Sequence, residues 1–451
     1  MGLITQIPLH DKPLKELLFI VYFFPPMGGS GVQRPLKYVK YLNQFGWKPI
    51  VLVPDPGLYH SFDSSLEQEL QILIDQDCLQ LYRVKGGTPL HWKSSRWQWR
   101  PHTRLEKWLR RLSHFFYLPD NKKAWIKQGL LQAEQIIKKH SIKAIYATAP
   151  PYSNLLLASK LKAQFAIPVI MDFRDDWLES HLIKYPTPIH KMLMERYESR
   201  TVTHADTVIA INEPIANAIG QRYPSLPRVV VQTHGYDPDD FDPLLYPEYS
   251  TQKDAITDLP AASQKTIRIL YSGTFYSHSG PAMFFRAVSE LIKKNPSLSS
   301  ILELHFQGSP ISPYLPLITE LGLQNIVYSH GYVPHKEAIL RMQKASILWL
   351  NNEHKKHKNT ITLSKTYEYM ATRRPIIALI PDSDTKKILK NYSRSYIAPP
   401  DNIKLVVSTI STAIHDVQMG SIKPLDEKFL EAFTRKTITQ SLAQELNALV
   451  D

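Results

Sequence analysis

Short apolar runs of strand length alternate along the chain with longer stretches whose apolar positions recur at helical spacing. In the first half the runs fall at Leu17–Phe24, Pro49–Val53, Ala144–Thr148, Pro168–Phe173, Thr207–Ile211 and Val229–Gln232, with helix patterns such as Lys122–Lys139 and Ser153–Phe165 between them. The runs are apolar enough to be buried on both faces, which predicts a parallel sheet covered by helices. From Tyr236 to Ser263 the pattern lapses into Asp, Pro, Ser and Tyr without a period, as a linker would. It then restarts, with strands predicted at Ile267–Ser272, Leu302–Phe306, Ile326–Tyr328, Ser346–Leu350 and Pro375–Ile380, and helices at Met283–Lys294, His335–Gln343 and Lys365–Thr372. The reading is two α/β domains, residues 1–240 and 265–425, joined by a linker at 241–264. A helical tail without a further strand occupies residues 426–451.

Composition narrows the partners more than the fold. The 451 residues are 43% hydrophobic and 21% charged, which excludes a disordered or fibrous chain. Lys and Arg number 54 against 41 Asp and Glu, a surplus of 13 that suggests an anionic partner: nucleic acid, an acidic bilayer or phosphorylated substrates. Cys78 is the only cysteine, so no intramolecular disulfide can form. No apolar run reaches the roughly 18–20 residues needed to span a bilayer, and the N-terminus has no signal-peptide pattern. Gln6 stands where a myristoylation signal on Gly2 needs Ser or Thr.

Four segments could carry chemistry. The first strand runs into Phe24-Pro-Pro-Met-Gly28-Gly29-Ser-Gly31 and then a helix. Glycines admit a close backbone approach and a helix start offers unpaired N–H groups, so this is a phosphate-site candidate with Arg34 beside it. A ligand-free turn is the equal alternative. Another strand delivers Asp172-Phe-Arg174-Asp175-Asp176-Trp177 at its carboxyl end, where ligands of open α/β sheets bind. Those groups could orient hydroxyls or take a proton, or could form a strand-end ion-pair cluster. In the second half, Ser364 can cap a helix whose Lys365 and Glu368 share one face. That arrangement suits a diphosphate and a ribose, or a plain surface ion pair. The fourth segment, Arg83 to Lys123, mixes aromatic with basic residues. Trp108, Leu109 and Leu112 fall on an apolar stripe, with Arg110 and Arg111 opposite, which fits an anionic membrane surface, a core-facing helix or nucleic-acid stacking. The 17 histidines are scattered, and neither HExxH nor CxxC spacing occurs, so no metal site is indicated.

Taken together the motifs are more specific. Tyr22-Phe-Phe-Pro-Pro-x-Gly-Gly, Leu118-Pro-Asp with Trp125, Thr148-x-Pro-Pro, Asp172-Phe-Arg-Asp-x-Trp, His234-Gly-Tyr-Asp, Gly273-Thr-Phe-Tyr and Lys365-Thr-Tyr-Glu-Tyr follow one another from about residue 16 to residue 380. In that order they resemble the retaining sugar transferases of glycosyltransferase family 4, and within it the bacterial branch with an Asp-Phe-Arg-Asp-x-Trp motif. The resemblance implies a GT-B fold: two Rossmann-like, doubly wound parallel-sheet domains facing a cleft, with the last helix crossing back to the first domain. It implies a nucleotide-diphosphate sugar bound by the second domain through Gly273, Thr274, Val333, Ser364, Lys365 and Glu368, with Gly28 and Gly29 reaching its phosphates. Arg174 and Asp175 would be catalytic, and Asp172, Asp176 and Arg34 would line the acceptor side. The implied reaction is metal-independent and needs no cofactor. Its acceptor would be a lipid-linked or polysaccharide glycan of the cell surface, and its location cytoplasmic, peripheral on the inner face of the plasma membrane.

Two departures stand against that pattern. Thr360 occupies the place of a family glutamate, and Ser277-His-Ser stands where the family has a diphosphate-gripping Arg and Lys, the next cation being Arg286. They keep two rivals in view: an epimerase of GT-B fold acting on the sugar nucleotide alone, and a non-catalytic GT-B-shaped assembly partner. Nucleic acid is not the expected partner.

Overall fold

The computed structural model describes residues 13–56, 62–85, 117–180, 185–242, 266–275, 280–308, 310–352 and 361–451. Trp108, Leu109, Arg110, Arg111 and Leu112, the expected membrane contacts, lie outside these residues, as do Thr360, Ser277–Ser279 and nearly all of the expected linker. The chain divides into two compact units. The first takes the residues up to His234 together with Arg435–Asp451; the second is Gly235–Thr434.

The first unit is a sheet of seven parallel strands, β1 (Lys15–Ile20), β2 (Trp47–Pro54), β3 (Gln80–Val84), β4 (Ile142–Ala149), β5 (Val169–Phe173), β6 (Thr207–Ala210) and β7 (Val229–Val231). Their order is β3-β2-β1-β4-β5-β6-β7, so the winding reverses between β1 and β4. Leu17 and Phe19 of β1 face one apolar layer, while Leu18 and Ile20 face the other. This two-sided burial is the reason the run reads as continuously apolar. The strand stops at Ile20, short of the expected Phe24, because the chain turns irregular before Pro25-Pro26.

The second unit repeats the plan with six parallel strands, β8 (Ile267–Gly273), β9 (Leu302–Gly308), β10 (Val327–Gly331), β11 (Ile347–Asn351), β12 (Ile376–Leu379) and β13 (Ser395–Ala398), in the order β10-β9-β8-β11-β12-β13. β3 and β13 were not legible as apolar runs. Both are sheet edges, and their residues are mostly half-exposed.

The chain closes on itself through its last helix, Arg435–Val450. Ile438, Leu442, Ala443 and Leu446 join the layer formed by Val32, Leu36 and Val39 of the helix Ser30–Leu42. Asn447 accepts a hydrogen bond from the Trp47 indole at 3.0 Å, and Arg228 pairs with Glu445.

Candidate functional site

In the first unit the candidates gather at the carboxyl ends of β1, β4 and β5. Gly28 is buried and Gly29, at φ +99°, precedes the first turn of the helix Ser30–Leu42. That turn carries no acidic residue and no side-chain cap, and with the Val32 N–H donating to the Gly29 carbonyl at 3.2 Å the N–H groups of Ser30 and Gly31 are the ones open to an anion. Arg34 is not beside them. Its guanidinium is 1% exposed and grips Asp172 with two hydrogen bonds of 3.0 Å. It also donates to the carbonyls of Thr233 and Gln232. Although burial opposes its charge, Asp172 holds it ionised. Asp172, wholly buried, accepts further bonds from the Tyr146 and Thr148 hydroxyls at 2.6 and 2.9 Å. Both residues were expected on the acceptor side, and their lone pairs and protons are instead spent inside the unit.

Asp176 shares that outcome. It is buried, accepts from the N–H groups of Leu178 and Glu179, and pairs with Arg222, which also holds Glu198. Arg174 was expected to be catalytic; its guanidinium donates to three backbone carbonyls, Gly31 at 2.6 Å, Pro150 at 2.6 Å and Ala149 at 3.2 Å. It staples the glycine loop to the turn after β4. Asp175 is the member of the motif left over. Its carboxyl is half-buried, hydrogen-bonds to no described residue, and is pushed up to about 6 by burial, with Arg174 opposing the shift. A carboxyl poised there can orient a hydroxyl and take its proton near neutral pH.

The second unit places its candidates at the carboxyl end of β8. Gly273 adopts φ +127°, and a Cβ there would lie 2.5 Å from the Lys365 ammonium. Gly308, next to it on β9, is at φ +98°, and a Cβ would come within 2.8 Å of the Gly273 carbonyl oxygen. Two glycines are therefore required for the strand ends and the lysine to meet. Lys365 donates to the Tyr271 hydroxyl at 3.1 Å and sits 4.1 Å from the centre of that ring. Burial lowers its pKa to about 7, with Glu368 opposing. Tyr369 knits the same helix to β8 by accepting from the Ser272 N–H at 2.8 Å.

Lys365 and Glu368 do share a face of the helix Lys365–Ala371, yet no ion pair joins them. Glu368 pairs instead with His335 Nε2 at 2.9 Å. Burial works against a charged His335, but its hydrogen bond to Glu368 outweighs this and raises its pKa. His335 opens the helix His335–Lys344, directly after the Gly331–Pro334 loop that holds Val333. Sequence reasoning missed it, because one histidine among 17 has no motif to mark it. Ser364, expected to cap the helix, is itself helical and makes no capping bond. Thr274 is exposed just beyond β8.

Two doubly wound parallel sheets in succession, each with candidate residues at its strand ends, define the GT-B class. Residues 34–235 match the glycosyl transferase 4-like domain family, which places that match in the first unit. No curated protein matches the sequence. Among solved structures, sucrose-phosphate synthase from Thermosynechococcus elongatus is similar at a TM-score of 0.63 and 16% identity, over 96% of this chain and 99% of the other. Anabaena HepE in complex with UDP-glucose aligns at 0.61 and 15%, over 96% and 99%. A glycosyltransferase from Rickettsia africae aligns at 0.60 and 16%, over 97% and 99%. At such identities the likeness is one of fold.

Proposed function

We propose that the protein transfers a sugar from a nucleoside diphosphate sugar to a lipid-linked or polysaccharide acceptor, with retention and without a metal. The observation that carries this reading is the divergence of Lys365 and Glu368 from one helix face beside Gly273. An ammonium meets a diphosphate there, and a carboxylate held by His335 meets the two hydroxyls of a ribose. As the glycosidic bond breaks, charge grows on the leaving diphosphate, and a preorganised cation with N–H groups stabilises it. Asp175 would orient the acceptor hydroxyl. The acceptor class, a place on the cytoplasmic membrane face and contacts through Trp108, Leu109, Leu112, Arg110 and Arg111 rest on the family resemblance and on the basic aromatic segment.

The test is thermal unfolding against UDP, GDP, ADP, CMP and dTDP. HepE holds UDP-glucose, so UDP heads the panel. A ligand confined to the folded state stabilises by about 2.7 kcal/mol at a hundred times its Kd. One diphosphate should raise Tm, and Glu368→Ala should abolish the rise. A flat panel at millimolar ligand would remove the donor site, and with it the transferase reading.

A further inference from the structure

The winding of the first sheet reverses between β1 and β4, and ligands of such sheets bind outside the strand ends at that reversal. The loop from Leu118 to Lys123 lies across it. Asp120 fastens one side, accepting from the Ser153 N–H at 2.9 Å, the Ser153 hydroxyl at 2.6 Å and the Lys122 N–H at 2.9 Å. Ser153 follows β4 by four residues. On the other side Lys122 Nζ sits 5.2 Å from the ring centre of Tyr22, two residues past the end of β1. Tyr22 is fixed edge-on against Trp125 at 5.8 Å. Tyr152, after β4, donates to the backbone carbonyl of Asp176, the residue next to Asp175, at 2.9 Å.

The Lys122 ammonium is half-buried and hydrogen-bonds to no described residue. Asp120, the carboxylate whose charge acts on it, already has both oxygens engaged. Burial lowers the lysine's pKa and Asp120 opposes this only in part. A ring face answers some of a cation's field but accepts none of its three N–H donors in the way an anionic oxygen does. A partly desolvated cation with open donors at a ligand-binding reversal calls for an anionic ligand.

We propose that Lys122 is the anion-binding residue of the acceptor subsite, and that the acceptor carries a phosphate or diphosphate ester near the hydroxyl that Asp175 orients. The assignment to an acceptor rests on the transferase reading, whereas the anion site itself does not. The experiment is competitive acylation of the full chain with a trace amine-reactive reagent, read peptide by peptide by mass spectrometry, with and without inorganic pyrophosphate. Lys122 should react in the free protein and be protected at least fivefold by pyrophosphate, both in the wild type and in Lys365→Met, where the donor cation is gone. Farnesyl diphosphate and glucose 1-phosphate serve as two further arms, and the one protecting at lower concentration names a lipid-linked or a water-soluble ester. Lys122→Met should lose pyrophosphate binding at this site at least tenfold while the UDP response of Tm is kept, and Lys122→Arg should restore it. A Lys122 that fails to react in the free protein, or reacts equally with every anion present, overturns the proposal. A flat nucleotide panel with Lys122 still protected would sink the donor reading alone.

Discussion

Lys365 shows what a single buried charge does to both stability and binding. Its folded pKa, about 7, lies below the usual lysine value of 10.5, so the native state disfavours its proton. The resulting cost is fully present below pH 7 and fades as pH rises towards 10.5. Lys365→Met should therefore raise Tm at pH 6, with the gain shrinking by pH 9. A bound diphosphate reverses the preference, so its affinity should fall as pH rises above 7, and calorimetry in buffers of different ionisation enthalpy should detect proton uptake that Lys365→Met abolishes. Gly308→Ala places a side chain at φ +98° and 2.8 Å from a carbonyl oxygen, and should cost about 1–3 kcal/mol in urea unfolding. That Lys365 and Glu368 lie on one helix face was legible from their spacing. The inward pairing of Arg34, Asp172 and Asp176 was not legible, because spacing gives a residue's chemistry but not the direction in which its side chain is buried. His335 depends on a contact across 33 residues, which no local pattern encodes.

Between elements, the helices Pro188–Val202 and Glu213–Arg222 are joined by one arginine that serves two wholly buried carboxylates, Asp176 and Glu198. Two negative charges against one positive leave an excess, and burial above all raises Glu198 to about 7. The folded pKa exceeds the ordinary 4.5, so the ionised native form is penalised: the cost is absent below pH 4.5, grows through pH 7 and persists above it. Glu198→Gln should be neutral at pH 4 and should raise the urea midpoint at pH 8. This cluster leaves no trace in sequence, since its members stand 22 and 24 residues apart along the chain (Asp176 to Glu198 to Arg222). Strands were legible where two helix layers bury them, as with β1 and β4. Edge strands β3 and β13 were not, since a half-exposed strand needs no continuous apolar run, whereas the edge strand β7 was legible through its three consecutive valines, Val229–Val231.

At the scale of the molecule, the helix Arg435–Val450 completes the first unit although the second unit precedes it in the chain. Ending the chain at Thr434 would strip Ile438, Leu442 and Leu446 from the layer they share with Val32, Leu36 and Val39, each burial being worth roughly 1.5–3 kcal/mol. Calorimetry of that truncation should show the first unit's transition lowered or lost and the second unit's nearly unchanged. The restart of the strand pattern made two domains readable; the return of the last helix came from family resemblance, because an amphipathic helix carries no address for its partner. The connection has a further consequence. The second unit enters at Tyr236 and leaves at Thr434, and these two residues are paired side by side, with the Tyr236 N–H donating to the Phe433 carbonyl at 3.0 Å. It is an insert with adjoining ends, spliced into a host that is still unfinished when the insert has been made. On the ribosome the order of completion is thus inverted: the later-encoded domain can mature first, while the earlier one waits, with an apolar face uncovered, for Arg435–Asp451 to emerge.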